Sequence, residues 1–229
     1  MPTSSKKLLL VEGENDRLFY QICCDRFAKL RDIEVGPPSR YMHWKDGEKP
    51  DGKNNAIDLF LTEVSRLAQD VGRSHLALVV DADSPATDGL GFRKTWEKIT
   101  PTLEKAGYTI PPYPNKSNSG TIFQHNDGLP AIGLWVMPDN FNKGFLEDFV
   151  KKTLKAEEKS LFSHAATTVS ALQNPKFKQH HLSKAEVATY MAWQETPGQG
   201  LHGALGAKLL QFDKGVGNNF IVWLQQCFR

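Results

Sequence analysis

Residues 7–16 read Lys7-Leu8-Leu9-Leu10-Val11-Glu12-Gly13-Glu14-Asn15-Asp16. The four consecutive apolar residues predict a short strand that is buried on both faces, as strands of parallel sheets are. Gly13 permits a sharp turn, and the polar residues after it suit the first turn of a helix. Glu12 is therefore expected at the carboxyl end of the strand, where open α/β sheets place their ligands, and Asp16 can face the same cleft.

A second stretch of this kind lies at residues 76–80, an apolar run that ends in Asp81-Ala82-Asp83. Between the two runs the pattern predicts a helix, short strands at 33–35 and 41–44, a loop at 46–55 and another helix. This alternation indicates an α/β fold with a mostly parallel sheet flanked by helices. Asn126-Asp127-Gly128, between apolar segments at 120–125 and 131–137, predicts an antiparallel hairpin that completes the sheet.

From residue 145 onward the periodicity is helical, with segments predicted at 145–155, 157–172, 182–194, 203–211 and 217–228. The chain of 229 residues is therefore divided into an α/β domain at 1–150 and a helical C-terminal subdomain at 151–229 that packs on it.

Composition places the chain among globular proteins, with 40% hydrophobic and 24% charged residues. No apolar run approaches the ~20 residues of a membrane span, and the first apolar run is too short for a secretory signal core. A cytoplasmic protein without a membrane partner is expected.

The sequence has three cysteines, Cys23, Cys24 and Cys227, an odd number, and no two of them have Cys-x-x-Cys spacing. Buried free thiols are therefore favoured over disulfides or a zinc site.

Charge is unevenly distributed along the chain. Residues 1–150 carry 18 Lys and Arg against 21 Asp and Glu, whereas residues 151–229 carry 10 against 5. This distribution suits a protein that holds cations in its first part and attracts a polyanion with its second, although ordinary solvated faces account for it equally well.

Acidic residues lie at three predicted element boundaries: Glu12 with Asp16, Asp81 with Asp83, and Glu147 with Asp148. Carboxylates that share a cleft repel one another, and their pKa values rise unless a cation neutralises them. Hard oxygen ligands favour Mg²⁺ or Mn²⁺. For Asp16, as for Glu14 beside it, the alternative is that the acid merely suits the positive end of a helix.

The order of these motifs resembles the Toprim domain, which topoisomerases, bacterial primases, small ribonuclease-type maturases and OLD-family nucleases share. A strand ends in Glu12-Gly13, Asp16 follows four residues after the glutamate, and a later strand ends in Asp81-x-Asp83. The resemblance covers roughly residues 6–150 and implies a Rossmann-like, mostly parallel sheet. Three further segments resemble an uncharacterised bacterial family of stand-alone Toprim-like proteins: Met137-Pro138-Asp139-Asn140, Gly144-Phe145-Leu146-Glu147-Asp148 and Lys184-Ala185-Glu186-Val187-Ala188-Thr189-Tyr190. This second resemblance implies no function.

The Toprim resemblance implies roles for particular residues. Glu12 matches the family's glutamate, a metal ligand or general acid/base, and Asp81 and Asp83 match its metal-binding pair. Similarity to OLD-type nucleases adds two more metal ligands, Asp16 and Glu147, the latter preferred to Asp148. It also adds a lysine from the helical part, for which Lys184 is the candidate.

The implied activity is phosphodiester hydrolysis on DNA or RNA by a two-metal mechanism with Mg²⁺ or Mn²⁺, in which two ions about 3.5–4 Å apart activate water and stabilise the leaving oxygen. Two alternatives stay open. One is a non-catalytic Toprim-like protein that binds nucleic acid or a partner protein. The other is a haloacid-dehalogenase-like phosphatase in which Asp81 is the nucleophile. The sequence leaves open whether the chain forms a homo-oligomer.

Overall fold

The computed structural model describes residues 6–43, 49–67, 73–83, 91–117 and 119–229. These ranges contain a five-stranded sheet in the order β2-β1-β3-β5-β4. Its strands are β1 (Lys7–Leu10), β2 (Ile33–Gly36), β3 (His75–Asp81), β4 (Thr121–Phe123) and β5 (Ile132–Met137). The first three strands and β5 are parallel, and β4 pairs antiparallel with β5. The predicted α/β class and mostly parallel sheet are confirmed.

Eight α-helices lie in the described ranges. They are α1 (Glu14–Ile22), α2 (Lys53–Leu67), α3 (Gly91–Lys105), α4 (Leu146–Thr153), α5 (Lys159–Ser170), α6 (Leu182–Ala192), α7 (Leu201–Gly206) and α8 (Gly215–Phe228). A π-helical turn, Cys23–Phe27, continues α1. None of the helices in these ranges combines the length and apolar character needed to cross a membrane.

Alternate residues of each strand enter two hydrophobic cores, one on each face of the sheet. Leu8 and Leu10 join the core that α2 and α3 cover, whereas Leu9 and Val11 join the core formed with α1, α4 and the later helices. This division explains why the first strand is apolar at every position.

Helix α8 belongs to the second core and lies against β3, β4 and β5. The Trp223 ring nitrogen donates a 3.2 Å hydrogen bond to the Thr121 carbonyl. A Cβ at Gly133 would lie 2.3 Å from the Cys227 sulfur, so glycine is needed there for the helix to approach β5. The three cysteines are buried and free, as expected.

The domain division at residue 150 stays a prediction. Helix α4 runs from Leu146 to Thr153, across that position, and its Phe149 and Val150 belong to the same core as β-strand and C-terminal residues.

Three local predictions are wrong. The strand expected at 41–44 is instead a turn at Tyr41 that follows a 3₁₀ helix at Pro38–Arg40. Pro38 has no N–H for strand pairing, and its fixed φ suits a helical turn. Trp44, the last residue of the expected strand, lies outside the described residues. The loop expected at 46–55 ends early, since α2 begins at Lys53. The helix expected at 203–211 ends at Gly206, because Lys208 adopts a left-handed backbone with φ 59°.

Candidate functional site

Glu12 lies where the first strand, the third strand and the start of α2 meet. Its carboxylate Oε1 accepts a 2.7 Å hydrogen bond from the backbone nitrogen of Asp81. Its carbonyl accepts another, also 2.7 Å, from the nitrogen of Gly52, the residue before α2. The end of β1 is thereby fixed to both neighbours, and the carboxylate is held at the carboxyl edge of the sheet.

Asp81 is the last residue of β3, the central strand of the sheet. Its carboxylate Oδ1 accepts a 2.9 Å hydrogen bond from the nitrogen of Leu146, the first residue of α4. A negative charge there is stabilised by the unpaired N–H groups at the helix start. Asp81 therefore connects the central strand to the helix that carries Glu147.

Asp16 and Glu147 come from the first turns of two different helices, α1 and α4. Burial and, after it, the negative charge of Glu147 raise the pKa of Asp16 to about 6, although Lys184 opposes the rise. Burial likewise raises the pKa of Glu147, again opposed by Lys184. The structure therefore brings these two acids and the α6 lysine into one neighbourhood.

The remaining two acids in this group respond to the same surroundings. Burial is the main cause that raises the pKa of Glu12 to about 7, with contributions from Asp83 and Asp16. Burial, then Glu12 and Glu147, raise the pKa of Asp81 well above its usual range. Glu12, Asp16, Asp81 and Glu147 are named here the acidic cluster: four half-buried or buried carboxyl groups, from the loop after β1 and from α1, β3 and α4, whose charges raise the pKa of Glu12, Asp16 and Asp81.

Asp83 lies beside the acidic cluster but points to a different partner. The strand geometry that would have put it on the same side as Asp81 ends at Asp81, and Asp83 has a left-handed backbone with φ 62°. Its backbone exchanges hydrogen bonds with Gly144, of 3.0 and 3.2 Å. Its carboxylate Oδ2 lies 3.2 Å from the amine of Lys53.

Sequence reasoning missed Lys53. This lysine is buried, and its Nζ donates to the carbonyl of Ala82 at 3.1 Å as well as to Asp83. Its positive charge lowers the pKa of Glu12. The signal was present in the sequence, because Lys53, Ala56, Ile57 and Phe60 have the i, i+3, i+4, i+7 spacing of one helical face, and the last three are buried.

Asp148 and Glu14 are acidic neighbours that serve structure. The Asp148 carboxylate accepts hydrogen bonds from the Phe145 nitrogen at 3.0 Å and from the Ser183 hydroxyl at 2.6 Å, which ties the start of α4 to α6. Glu14 pairs with Arg17 and Arg40, whose hydrogen bonds lower its pKa to about 2. Of the adjacent acids Glu147 and Asp148, it is Glu147 whose negative charge raises the pKa of Asp16 and Asp81.

Lys184 projects from the first turn of α6 towards the same edge. Its amine lies 4.8 Å from the centre of the Phe145 ring, a cation–π contact, and it lowers the pKa of three carboxyl groups: Asp16, Asp81 and Glu147. Lys184 is itself exposed, and its positive charge partly offsets the negative charge of the acidic cluster.

The donor set suits a hard divalent cation. Glu12 and Asp81 each have one oxygen bonded to a backbone N–H, and a carboxylate has further lone pairs for a second partner. Burial raises the pKa of both carboxyl groups and neighbouring acids raise it further, so a bound cation would favour their ionised forms. Among the described residues, however, no three His, Cys, Asp or Glu side chains are already arranged to hold a metal ion. Binding would require carboxylate side chains to turn towards one another.

The fold and this site together define an α/β protein with an acidic cluster at the carboxyl edge of a mostly parallel sheet. The family model described as "Protein of unknown function (DUF3226)" matches residues 6–229. The chain belongs to this family. Comparison with curated proteins and with solved structures gave no match.

Proposed function

We propose that the protein is a nuclease that hydrolyses phosphodiester bonds of DNA or RNA with Mg²⁺ or Mn²⁺. The observation that carries the proposal is the acidic cluster: four carboxyl groups from three regions of the sequence lie near one another at the sheet edge where α/β proteins bind ligands. Burying like charges together costs stability, so such an arrangement is typical of functional sites.

The chain's own residues supply most of the required chemistry. Glu12, with a pKa of about 7, can accept or give a proton near neutral pH and fits the role of general acid/base. Asp16, Asp81 and Glu147 would hold the cation, with Asp83 available if it leaves Lys53. When bound, a divalent cation there would supply Lewis acidity and a water of lowered pKa. Lys184 would stabilise negative charge on the phosphoryl oxygens.

Two features support a nucleic acid as the substrate. The helical part after residue 150 carries 10 basic against 5 acidic residues, which favours a polyanion. The order of Glu12-Gly13 and Asp81-x-Asp83 at two strand ends matches the Toprim pattern, which supports a nuclease of the OLD type.

Metal-dependent cleavage tests the proposal directly. Supercoiled DNA and single-stranded RNA are incubated with the protein and Mn²⁺, and nicks or fragments are measured. We expect cleavage that falls to background in Asp81→Asn and is retained in Asp127→Asn, a matched change in the exposed hairpin turn. Equal rates in wild type and Asp81→Asn would refute the nuclease.

The alternatives predict other results. Weak or absent stabilisation by Mn²⁺, with no cleavage of either substrate, favours a non-catalytic nucleic-acid-binding or partner-binding protein. A phosphorylated Asp81 after incubation with a phosphate ester favours the phosphatase.

A further inference from the structure

A cavity adjoins the acidic cluster and shares one of its residues, Glu147. Glu147 and Lys184 form one side of it, and Val187, Met191 and Leu201 give it an apolar wall from α6 and the start of α7. Its volume is about 330 Å³, within the range of roughly 300–1,000 Å³ that small-molecule sites have. A group bound at Lys184 therefore has an apolar recess directly beside it.

We propose that this cavity receives the nucleobase of the nucleotide whose phosphate lies at Lys184. The inference rests on the proposed function and names the substrate more closely: a nucleotide unit with an unstacked base, as in a single strand or a flipped position. The apolar wall would bury the faces of the base, and methionine makes favourable contacts with aromatic rings. An unstacked base is the form in which a nucleotide can enter such a recess.

The polar rim of the cavity fits the edge of a base. Gln199 lines it between Gly198 and Gly200, and its side-chain amide offers both donors and an acceptor. This side chain lies over Gly203 in α7, where an added Cβ would come within 2.5 Å of the Gln199 Oε1. The amide is thus placed by its packing on α7, at the opening between the two helices.

Alternative occupants fit less well. A second sugar-phosphate would place another anion beside Glu147 and against apolar side chains, at a desolvation cost that nothing in the lining offsets. A purely apolar ligand would leave Lys184 and Gln199 without use. A nucleotide combines an anion for the lysine with a flat, largely apolar group for the recess.

Binding without turnover provides the first test. Calorimetry in Ca²⁺ compares a nucleoside 5′-monophosphate with the same sugar phosphate lacking its base. We expect the nucleotide to bind wild-type protein about tenfold more tightly, the size of effect that burying a few carbon groups produces. Ala188→Phe, at an exposed lining position, should abolish this preference by filling the recess. Ala171→Phe, at an exposed helix end elsewhere, should keep it.

Equal binding of the two probes by wild type, or a preference that survives in Ala188→Phe, would overturn the inference. Because cleavage is not measured, this outcome is separate from failure of the proposed nuclease. If the protein prefers the nucleotide but cleaves neither substrate, the assignment of the cavity as a base-binding site is supported and the proposed nuclease activity is rejected.

A second arm distinguishes the source of the nucleotide. Single-stranded oligonucleotides with one abasic position, moved along the strand, are compared with the intact strand. If a strand supplies the base, the wild-type protein should bind the strand more weakly when the abasic position occupies the recess. Binding by Ala188→Phe should not depend on where the abasic position lies. If a free nucleotide is the ligand, the mononucleotide preference is seen and the strands bind alike.

Discussion

The Glu12 carboxylate accepts a 2.7 Å hydrogen bond from the backbone nitrogen of Asp81, although the two residues are 69 positions apart in the chain. This contact fixes the ends of β1 and β3 side by side and brings one acid onto the strand that carries another. Burial and neighbouring acids leave the pKa of Glu12 at about 7, above its ordinary value of 4.5. Burial therefore favours the protonated, neutral form of Glu12 up to about neutral pH.

The first prediction is that Glu12 makes the protein less stable as pH rises. Between pH 4.5 and about 7 the folded chain keeps a proton on Glu12 that the unfolded chain has lost, so the unfolding free energy falls through this window. Asp16, with a pKa raised from 3.8 to about 6, acts in the same direction at lower pH. Urea unfolding should show Glu12→Gln flattening the fall between pH 5 and 8 by roughly 2 kcal/mol.

The difference between the variant and wild-type curves carries this test, since other titrating groups are common to both. Glu157→Gln, a change at an exposed acid, should give a curve parallel to that of wild type. Parallel curves for Glu12→Gln and wild type would show that Glu12 has an ordinary pKa.

The second prediction concerns divalent cations. At pH 7.5, above the pKa values of Glu12 and Asp16, these two carboxyl groups are mostly ionised and can bind a cation, so Mn²⁺ should raise the melting temperature by several degrees. A concentration of 100 times the Kd corresponds to about 2.7 kcal/mol. Asp16→Asn and Glu147→Gln should each reduce the shift measured by differential scanning fluorimetry.

Asp127→Asn is the control for that experiment and should retain the full Mn²⁺ shift. The shift should also shrink at pH 5, where Glu12 and Asp16 are protonated in the folded protein. A shift that is the same in all four proteins would place cation binding outside the acidic cluster.

Much of the framework was predictable because apolar runs and turn residues act locally. Residues 8–11 alternate between two cores, and this alone requires a strand covered on both faces. The antiparallel hairpin was predicted from the turn residues Asn126-Asp127-Gly128 between two apolar segments, and β4 and β5 pair as expected. The position of Glu12 at the carboxyl end of its strand followed from the same pattern.

The finer arrangement of the site depends on contacts that the sequence does not display. Asp83 was expected to share a side with Asp81, but the left-handed backbone at Asp83 and its pairing with Gly144 turn it towards Lys53. The role of Lys53 was hidden because polar residues at 53–55 resemble a loop, although they form the first turn of α2. Segments 84–90 and 44–48, which flank the site in the chain, lie outside the described residues.

The third prediction is that Lys53 stabilises the fold. Lys53→Met leaves the Ala82 carbonyl and the Asp83 carboxylate without the lysine amine, so the unfolding free energy should fall by about 1–3 kcal/mol. The pKa of Glu12 should rise further, because Lys53 lowers it in the wild type. Chemical denaturation across the pH range measures both effects.

A double-mutant cycle with Asp83→Asn separates the ion pair from the carbonyl contact. We expect a coupling energy of about 1 kcal/mol between the two substitutions. Additive effects would assign the stabilisation to the Ala82 carbonyl and to packing of the lysine stem alone.

The fourth prediction concerns Gly144, which has a φ of 139° and would place a Cβ 2.5 Å from the Asp148 Oδ2. Gly144→Ala should therefore lower the unfolding free energy by about 2 kcal/mol, through backbone strain and loss of the bond that Asp148 accepts from Phe145. Gly128→Ala, at a smaller positive φ of 80° with open space around it, should cost only about 1 kcal/mol. Urea unfolding compares them.

The role of Asp148 in that effect can be isolated. In an Asp148→Ala background the contact with the carboxylate disappears, so adding Gly144→Ala should lower the unfolding free energy less than it does in the wild type. A full cost in that background would mean that backbone strain alone explains the requirement for glycine.

The fifth prediction tests Lys184 as the residue that offsets phosphoryl charge. Its exposed side chain contacts the Phe145 ring and lowers the pKa of the nearby acids, so Lys184→Met should leave the melting temperature within a few degrees of wild type. Cleavage in Mn²⁺ should fall by about 10²–10³-fold, the usual effect of removing one such group. Lys159→Met, an exposed lysine on α5, should cleave at the wild-type rate. Equal loss in both lysine variants would indicate general attraction of a polyanion by the basic helices, whereas loss in Lys184→Met alone places this lysine at the reacting phosphate.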